Sequence, residues 1–145
     1  MKVSGIDAGC LVLRGAALFL VLTFGREKLE GLVGTLGRGQ PLESWGFVGF
    51  LRGQGLPAPA FLAVCAALNE SVLALAVAVG LATRVVAALI AAGMGVALVV
   101  SLRLEEEPVR ALLYATAFAT LATTGAGRFS LDRLLSLRMR RKAGA

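Results

Sequence analysis

Four stretches of this chain, residues 8–29, 60–81, 85–102 and 109–124, are apolar almost all the way round a helix, and no other feature restricts its fold as strongly. A helix on the outside of a water-soluble domain keeps a polar face, and these stretches lack one. Crossing bilayer hydrocarbon takes about 20 apolar residues. The first two stretches reach that length, the third approaches it and the fourth is the shortest. Composition agrees: 57% of the 145 residues are hydrophobic and 17% charged, against roughly 45–50% and about 25% in soluble domains. The expected fold is all-α, an integral membrane four-helix bundle forming a single domain over residues 1–145.

The ends of the runs carry helix punctuation. Pro108 suits the first turn of the fourth helix, where its missing N–H costs nothing, and Gly125 and Gly127 stop that helix. The first run ends in Arg26, Glu27 and Lys28 rather than at a small-residue cleavage site, so it is expected to be a span and not a signal peptide. Four crossings put both termini on one side. The tail Arg138, Arg140, Arg141 and Lys142, with Lys2 and Arg84, assigns that side to the cytoplasm, opposite Glu105, Glu106 and Glu107.

Residues 31–59 are then a long outer connection with eight glycines. Within it, residues 31–39 are expected to form a flexible loop, and residues 42–51 a short interfacial or re-entrant helix with Trp45 at headgroup depth. After the fourth run, Ser130 is a good N-cap for a basic amphipathic segment, residues 131–142, lying on the anionic inner leaflet. Arg128 is placed to pair with Asp132 in its first turn.

A net charge of +6 would suggest nucleic acid in a soluble protein. Here the cations gather at the ends of apolar runs, so the expected partner is the lipid bilayer and not nucleic acid. The absence of histidine excludes haem ligation by His, His-based zinc chemistry and the usual Ser-His or Cys-His nucleophiles. Cys10 and Cys65 fall toward opposite faces of the membrane, too far apart for a disulfide, which needs Cα atoms within about 7 Å. No metal site and no covalently bound cofactor is expected, and the glycine-rich stretch 31–39 lacks the lysine and the preceding strand of a phosphate loop.

Helices in lipid associate through close packing of small residues. Ala87, Ala91 and Gly95 in the third run, and Ala111, Ala115, Ala119 and Thr123 in the fourth, recur every four residues and predict a smooth ridge on each helix. Thr116, Thr120 and Thr124 form a second stripe, expected to bond back to helix carbonyls or across to a neighbour.

Ionisable groups at membrane depth mark a site by default. At about 1.5 Å per residue, Arg14 lies roughly 9 Å from the inner end of its helix and Glu70 about 15 Å from the outer end of the next. Arg14, Leu18, Val21, Gly25 and Lys28 share one stripe, and Ala63, Ala66, Glu70, Leu73, Val77 and Arg84 another, both expected to face the interior. Side chains lean toward the helix N-terminus, which parts Arg14 from Glu70 and brings Lys28 toward its level; the partner of Glu70 stays open between the two. One reading is an interior ion pair, or a protonated carboxyl, that locks the bundle. The other is a mid-membrane pocket lined by Arg14, Asn69, Glu70 and Tyr114 that binds a polar headgroup, a quinone or a proton.

The order of several short motifs resembles the DoxX family of small four-helix bacterial membrane proteins. These are Arg14 followed by Phe19 and the GREKL of residues 25–29, the GLPA of 55–58, Asn69-Glu70, the GLATR of 80–84 and the GAGRFSLDRLL of 125–135. The family more often shows GPG where this chain has GAG, and a hydrophobic residue where Asn69 stands. The resemblance implies a four-helix bundle in the bacterial inner membrane. The family is similar to the small membrane subunit of a thiosulfate:quinone oxidoreductase and includes many members without assigned activity; distant eukaryotic relatives look like cargo receptors and receptor-assembly chaperones. The leading expectation is a non-catalytic accessory or assembly subunit, working with a redox protein, another membrane protein or further copies of itself. An alternative is a quinone-linked oxidoreductase subunit with the quinone in the Arg14–Glu70 pocket. A third is a small transporter, which the absence of an internal repeat or of a broken span disfavours.

Overall fold

Among the residues that the computed structural model describes, 5–104 and 107–143 (backbone alone for 138 and 140–143), every regular element is helical. In chain order these are α1 (Gly5–Leu20), α2 (Arg26–Gly37), α3 (Gly46–Gly53), α4 (Pro59–Leu68), α5 (Ala74–Val79), α6 (Thr83–Arg103), α7 (Val109–Thr124) and α8 (Leu131–Ala143). A π-turn at Val21–Gly25 joins α1 and α2 into one 33-residue rod, and another at Asn69–Leu73 joins α4 and α5 into a 21-residue rod. Both rods and α6 are long and apolar enough to cross a membrane. At most 33% of the apolar stretch of each is covered by the protein itself, so the remainder needs a lipid environment. The 16 residues of α7 rise about 24 Å, less than the roughly 30 Å of a hydrocarbon core.

Local chemistry sets the boundaries. Pro59 opens α4 at a first-turn position. Gly80 ends α5 with φ +77°, and the N–H of Leu81 closes back on the carbonyl of Ala76 at 2.8 Å, a C-cap for which a residue without Cβ is best suited. Ala58 and Ala82, the residues before α4 and α6, adopt the left-handed conformation at φ +48° and +46°, each at a cost of about 1–2 kcal/mol.

The core has two parts. Cys10, Ala17, Leu20, Val77, Ile90 and Phe118 hold α1, α5, α6 and α7 together, while Leu32, Trp45, Val48 and Ala63 fasten α3 into the corner between α2 and α4. The most extensive helix–helix contact is α6 along α7.

Four expectations are corrected. Residues 31–37 continue α2 rather than forming a flexible loop, because Leu32 and Thr35 turn inward and the packing of Leu32 with Trp45 and Val48 outweighs the entropic cost of Gly31, Gly34 and Gly37. The expected helix over 42–51 is a 3₁₀ turn, Leu42–Ser44, followed by α3, and Trp45 between them is buried against Gly31. The small-residue ridge of the fourth run drifts off the interface: Ala119 and Thr123 are exposed, and α7 buries Ala111, Phe118 and Leu121, while Ala87 and Ala91 of α6 do pack in the core. A four-residue repeat advances 400° against 360° per turn, so over three steps it slides about a third of the way round a helix of 3.6 residues per turn. Finally, Leu18 is exposed, and the second rod buries Ala63, Ala67, Ala74 and Val77, so that Ala66 and Leu73 of the expected stripe are only partly buried.

The threonine stripe bonds back to helix carbonyls throughout, and Thr124 also accepts from the Cys10 thiol of α1 at 3.8 Å. Thr116, Thr120 and Thr124 donate to the carbonyls of Leu112, Thr116 and Thr120 at 3.0, 2.8 and 2.8 Å. Cys10 is buried and Cys65 exposed, both as free thiols. Lys2, Glu105 and Glu106, and the side chains of Arg138, Arg140, Arg141 and Lys142, which entered the topology argument, lie outside the described residues.

Candidate functional site

The two π-turns cross each other. Gly25 ends the first, and a Cβ placed on it would lie 2.0 Å from the carbonyl oxygen of Glu70 in the second. Only a residue without a side chain lets the two backbones approach this closely. The crossing lifts the Glu70 side chain beside the next turn of the first rod, where Lys28 Nζ stands 2.5 Å from Glu70 Oε1. Both side chains are largely covered, 24% exposed for Lys28 and 12% for Glu70, so the charges are screened far less than a surface pair. Lys28 Nζ also sits 5.0 Å from the centre of the Phe47 ring, which α3 lays over it.

Beside the pair lies a cavity of about 120 Å³. Its walls are Leu20, Phe24, Lys28, Glu70, Met94, Ala97 and Ser101, then Glu107, Arg110, Ala111 and Tyr114 from the start of α7 and the residues before it. The Arg110 guanidinium carbon lies 4.6 Å from the centre of the Phe24 ring, and Tyr114 stacks on Phe118 at 6.3 Å. Lys28, Arg110, Ser101 and Tyr114 offer donors, and Glu70 and Glu107 acceptors. This arrangement suits one small group carrying oxygens at two ends.

Of the residues expected to line a mid-membrane pocket, the structure brings Lys28, Glu70 and Tyr114 together and sends two elsewhere. Arg14 does not meet Glu70. Its Nε donates to the carbonyls of Val77 and Ala78 at 3.2 and 3.1 Å, one terminal nitrogen to Ala78 at 2.8 Å, and the other to the carbonyls of Ala126, at 3.5 Å, and Phe129. It thereby closes the carbonyl end of α5 and ties it to the turn after α7, a use that suits a planar fork of donors. Asn69 is buried away from the cavity, its Nδ2 3.5 Å from the Ile90 carbonyl, and a Cβ on Gly93 of α6 would lie 2.2 Å from that nitrogen. The close helix approach predicted at Gly95 therefore falls at Gly93, whereas Gly95 faces open space.

The other polar residues have structural work. The Asp132 carboxylate accepts the N–H of Ala82 at 2.7 Å and of Thr83 at 2.9 Å, capping α6 across 50 and 49 residues of sequence. Arg128 donates its backbone N–H to Asp7 at 3.1 Å. Arg84 lies across the Gly125 turn. Arg110, Glu107 and Ser101 join the cavity although the reasoning from sequence assigned them no site role. The Arg110–Tyr114 spacing of four, which puts both on one face of α7, is the signal that marks Arg110; nothing comparable marks Glu107 or Ser101.

Apolar rods enclosing a mid-span ion pair and a small polar cavity define an α-helical membrane protein. Residues 9–102 match the DoxX family, more than half of the sequence, and the chain belongs to that family. The match covers Arg14, Lys28 and Glu70 and ends before α7. Comparison with curated proteins and with solved structures gives no match.

Proposed function

We propose that this chain is a four-crossing subunit of the bacterial inner membrane, with both ends cytoplasmic, that acts beside a redox protein or another membrane protein rather than as an enzyme by itself. The size of its polar site carries this reading. A cavity of about 120 Å³ is below the ~300–1,000 Å³ of clefts that enclose a drug-sized ligand, so it admits one ring or headgroup but not two reactants, and the second must come with a partner. Family membership agrees, because DoxX proteins are membrane proteins often associated with oxidoreductases. Isolation from native membranes in a mild detergent is expected to bring down a membrane or redox protein in constant ratio. A preparation that is monodisperse, complete in yield and free of other chains would contradict the reading.

The donors around the cavity favour a specific second reading, that the group it holds is a quinone ring. Lys28, Arg110 and Tyr114 are suited to the ring's carbonyl oxygens, and the exposed apolar helices give its tail a lipid path. Solvent extraction of the purified protein is expected to yield quinone, and Glu70→Gln to reduce it; wild-type protein without quinone excludes this reading while leaving the first intact. Both rods stay helical through their π-turns instead of unwinding, so neither provides the broken span characteristic of many transporters.

A further inference from the structure

Where α6 begins and α7 ends, the bundle leaves a second cleft of about 390 Å³ that shares no lining residue with the Lys28–Glu70 cavity. Arg84, the Gly125 turn, Arg133 and Ser136 form its walls. The acid in this cleft is already engaged, since Asp132 caps α6. So are the hydroxyl protons: Ser136 Oγ donates to the carbonyl of Arg133 at 2.8 Å, and Thr124 to that of Thr120. Two guanidinium groups remain. Arg84 and Arg133 are exposed, and neither forms a hydrogen bond or an ion pair with its side chain among the described residues. Two such planar donor forks on one cleft match the oxygens of a phosphate.

Depth argues for a lipid as the source of that phosphate. Arg84 is the second residue of a 21-residue apolar helix, so it lies where hydrocarbon gives way to headgroups. Directly beyond it, Val85 and Leu89 are 68% and 54% exposed and start an apolar track down the outside of α6. We propose that this cleft holds the phosphate of an anionic phospholipid between Arg84 and Arg133, with an acyl chain along Val85 and Leu89. The proposal is independent of the partner and of the ligand at Lys28–Glu70.

Native mass spectrometry of the full chain, released from micelles doped equally with phosphatidylglycerol and phosphatidylcholine, tests it. The wild type is expected to retain phosphatidylglycerol in preference. R84Q/R133Q should lower that retention about tenfold, the loss of one or two charge-assisted bonds, with phosphatidylcholine unchanged, and R84K/R133K should restore part of it. R52Q/R103Q, which removes the same charge away from the cleft, should retain phosphatidylglycerol like the wild type. Equal losses in the two glutamine variants would reduce the effect to net charge and overturn the site. Displacement of the lipid by millimolar inorganic phosphate would overturn the lipid assignment in favour of a soluble anion.

Discussion

At the residue scale the site depends on one missing side chain and one pair of charges. Gly25→Ala puts a methyl group where the Glu70 carbonyl oxygen lies, 2.0 Å away, and overpacking against backbone costs about 1–3 kcal/mol or more. Gly15→Ala, with open space around it, gains up to about 0.5–1 kcal/mol of helix preference instead. Thermal unfolding in detergent separates the two: G25A is expected to melt well below wild type and G15A at or above it. The ion pair makes a different prediction. Removing one member of a covered pair strands the other charge, at about 3–5 kcal/mol when burial is complete, whereas removing both is close to neutral. With side chains 24% and 12% exposed, Lys28→Met and Glu70→Leu should each fall at or below the lower end of that range, and the double variant should recover most of the loss. Additive melting shifts would mean that the charges do not interact. Glu70 was legible in the sequence because charge inside an apolar run needs a partner, whereas the choice of Lys28 over Arg14 as that partner was not. Gly25 was not legible as a contact point, since its role depends on a backbone 45 residues away.

At the element scale, long-range caps hold the cytoplasmic end that we propose. Asp132 caps α6 and donates its own N–H to the Gly80 carbonyl at 2.9 Å, so one residue pins α8 to the α5–α6 turn. Asp132→Ala should cost about 0.5–2 kcal/mol and release α8, seen as faster proteolysis after Arg133 with the rods still protected. Unchanged cleavage would show that α8 is held by other means. Arg14→Lys keeps the charge and loses the fork, so it too should loosen α8, because an ammonium cannot span the carbonyls of Val77 and Phe129 together. Helix ends were legible where sequence carries the cap, and the third and fourth runs end within two residues of the observed helices. The π-turns were not legible: NESVL has no breaker residue, and the Gly25 of VLTFG is one of several glycines in helical stretches of this chain that mark no π-turn. Nor was the use of Arg14, whose carbonyl partners lie 63 to 115 residues away.

At the scale of the whole molecule the open quantity is the number of crossings, and α7 decides it. Its 16 residues fall short of the ~20 that span a typical bilayer, yet they run back along α6. A Cβ on Gly125, just past the end of α7, would lie 3.2 Å from Nε of Arg84, on the first turn of α6. The Arg128 N–H bonds Asp7 near the start of α1, so the residues after α7 share one end of the bundle with the beginning of the chain. On the four-crossing reading that we propose, α7 crosses beside α6, and local thinning of the bilayer matches so short a span at modest cost. Single cysteines test this in a Cys65→Ala background, where buried Cys10 stays silent. In intact cells a membrane-impermeant maleimide is expected to label Gln40→Cys, after α2, and to reach Ala145→Cys only after lysis. Labelling of both from outside would leave three crossings and lay α7 along the surface. Labelling of Ala145→Cys alone would invert the protein, and with it the leaflet from which the Arg84–Arg133 cleft draws its lipid.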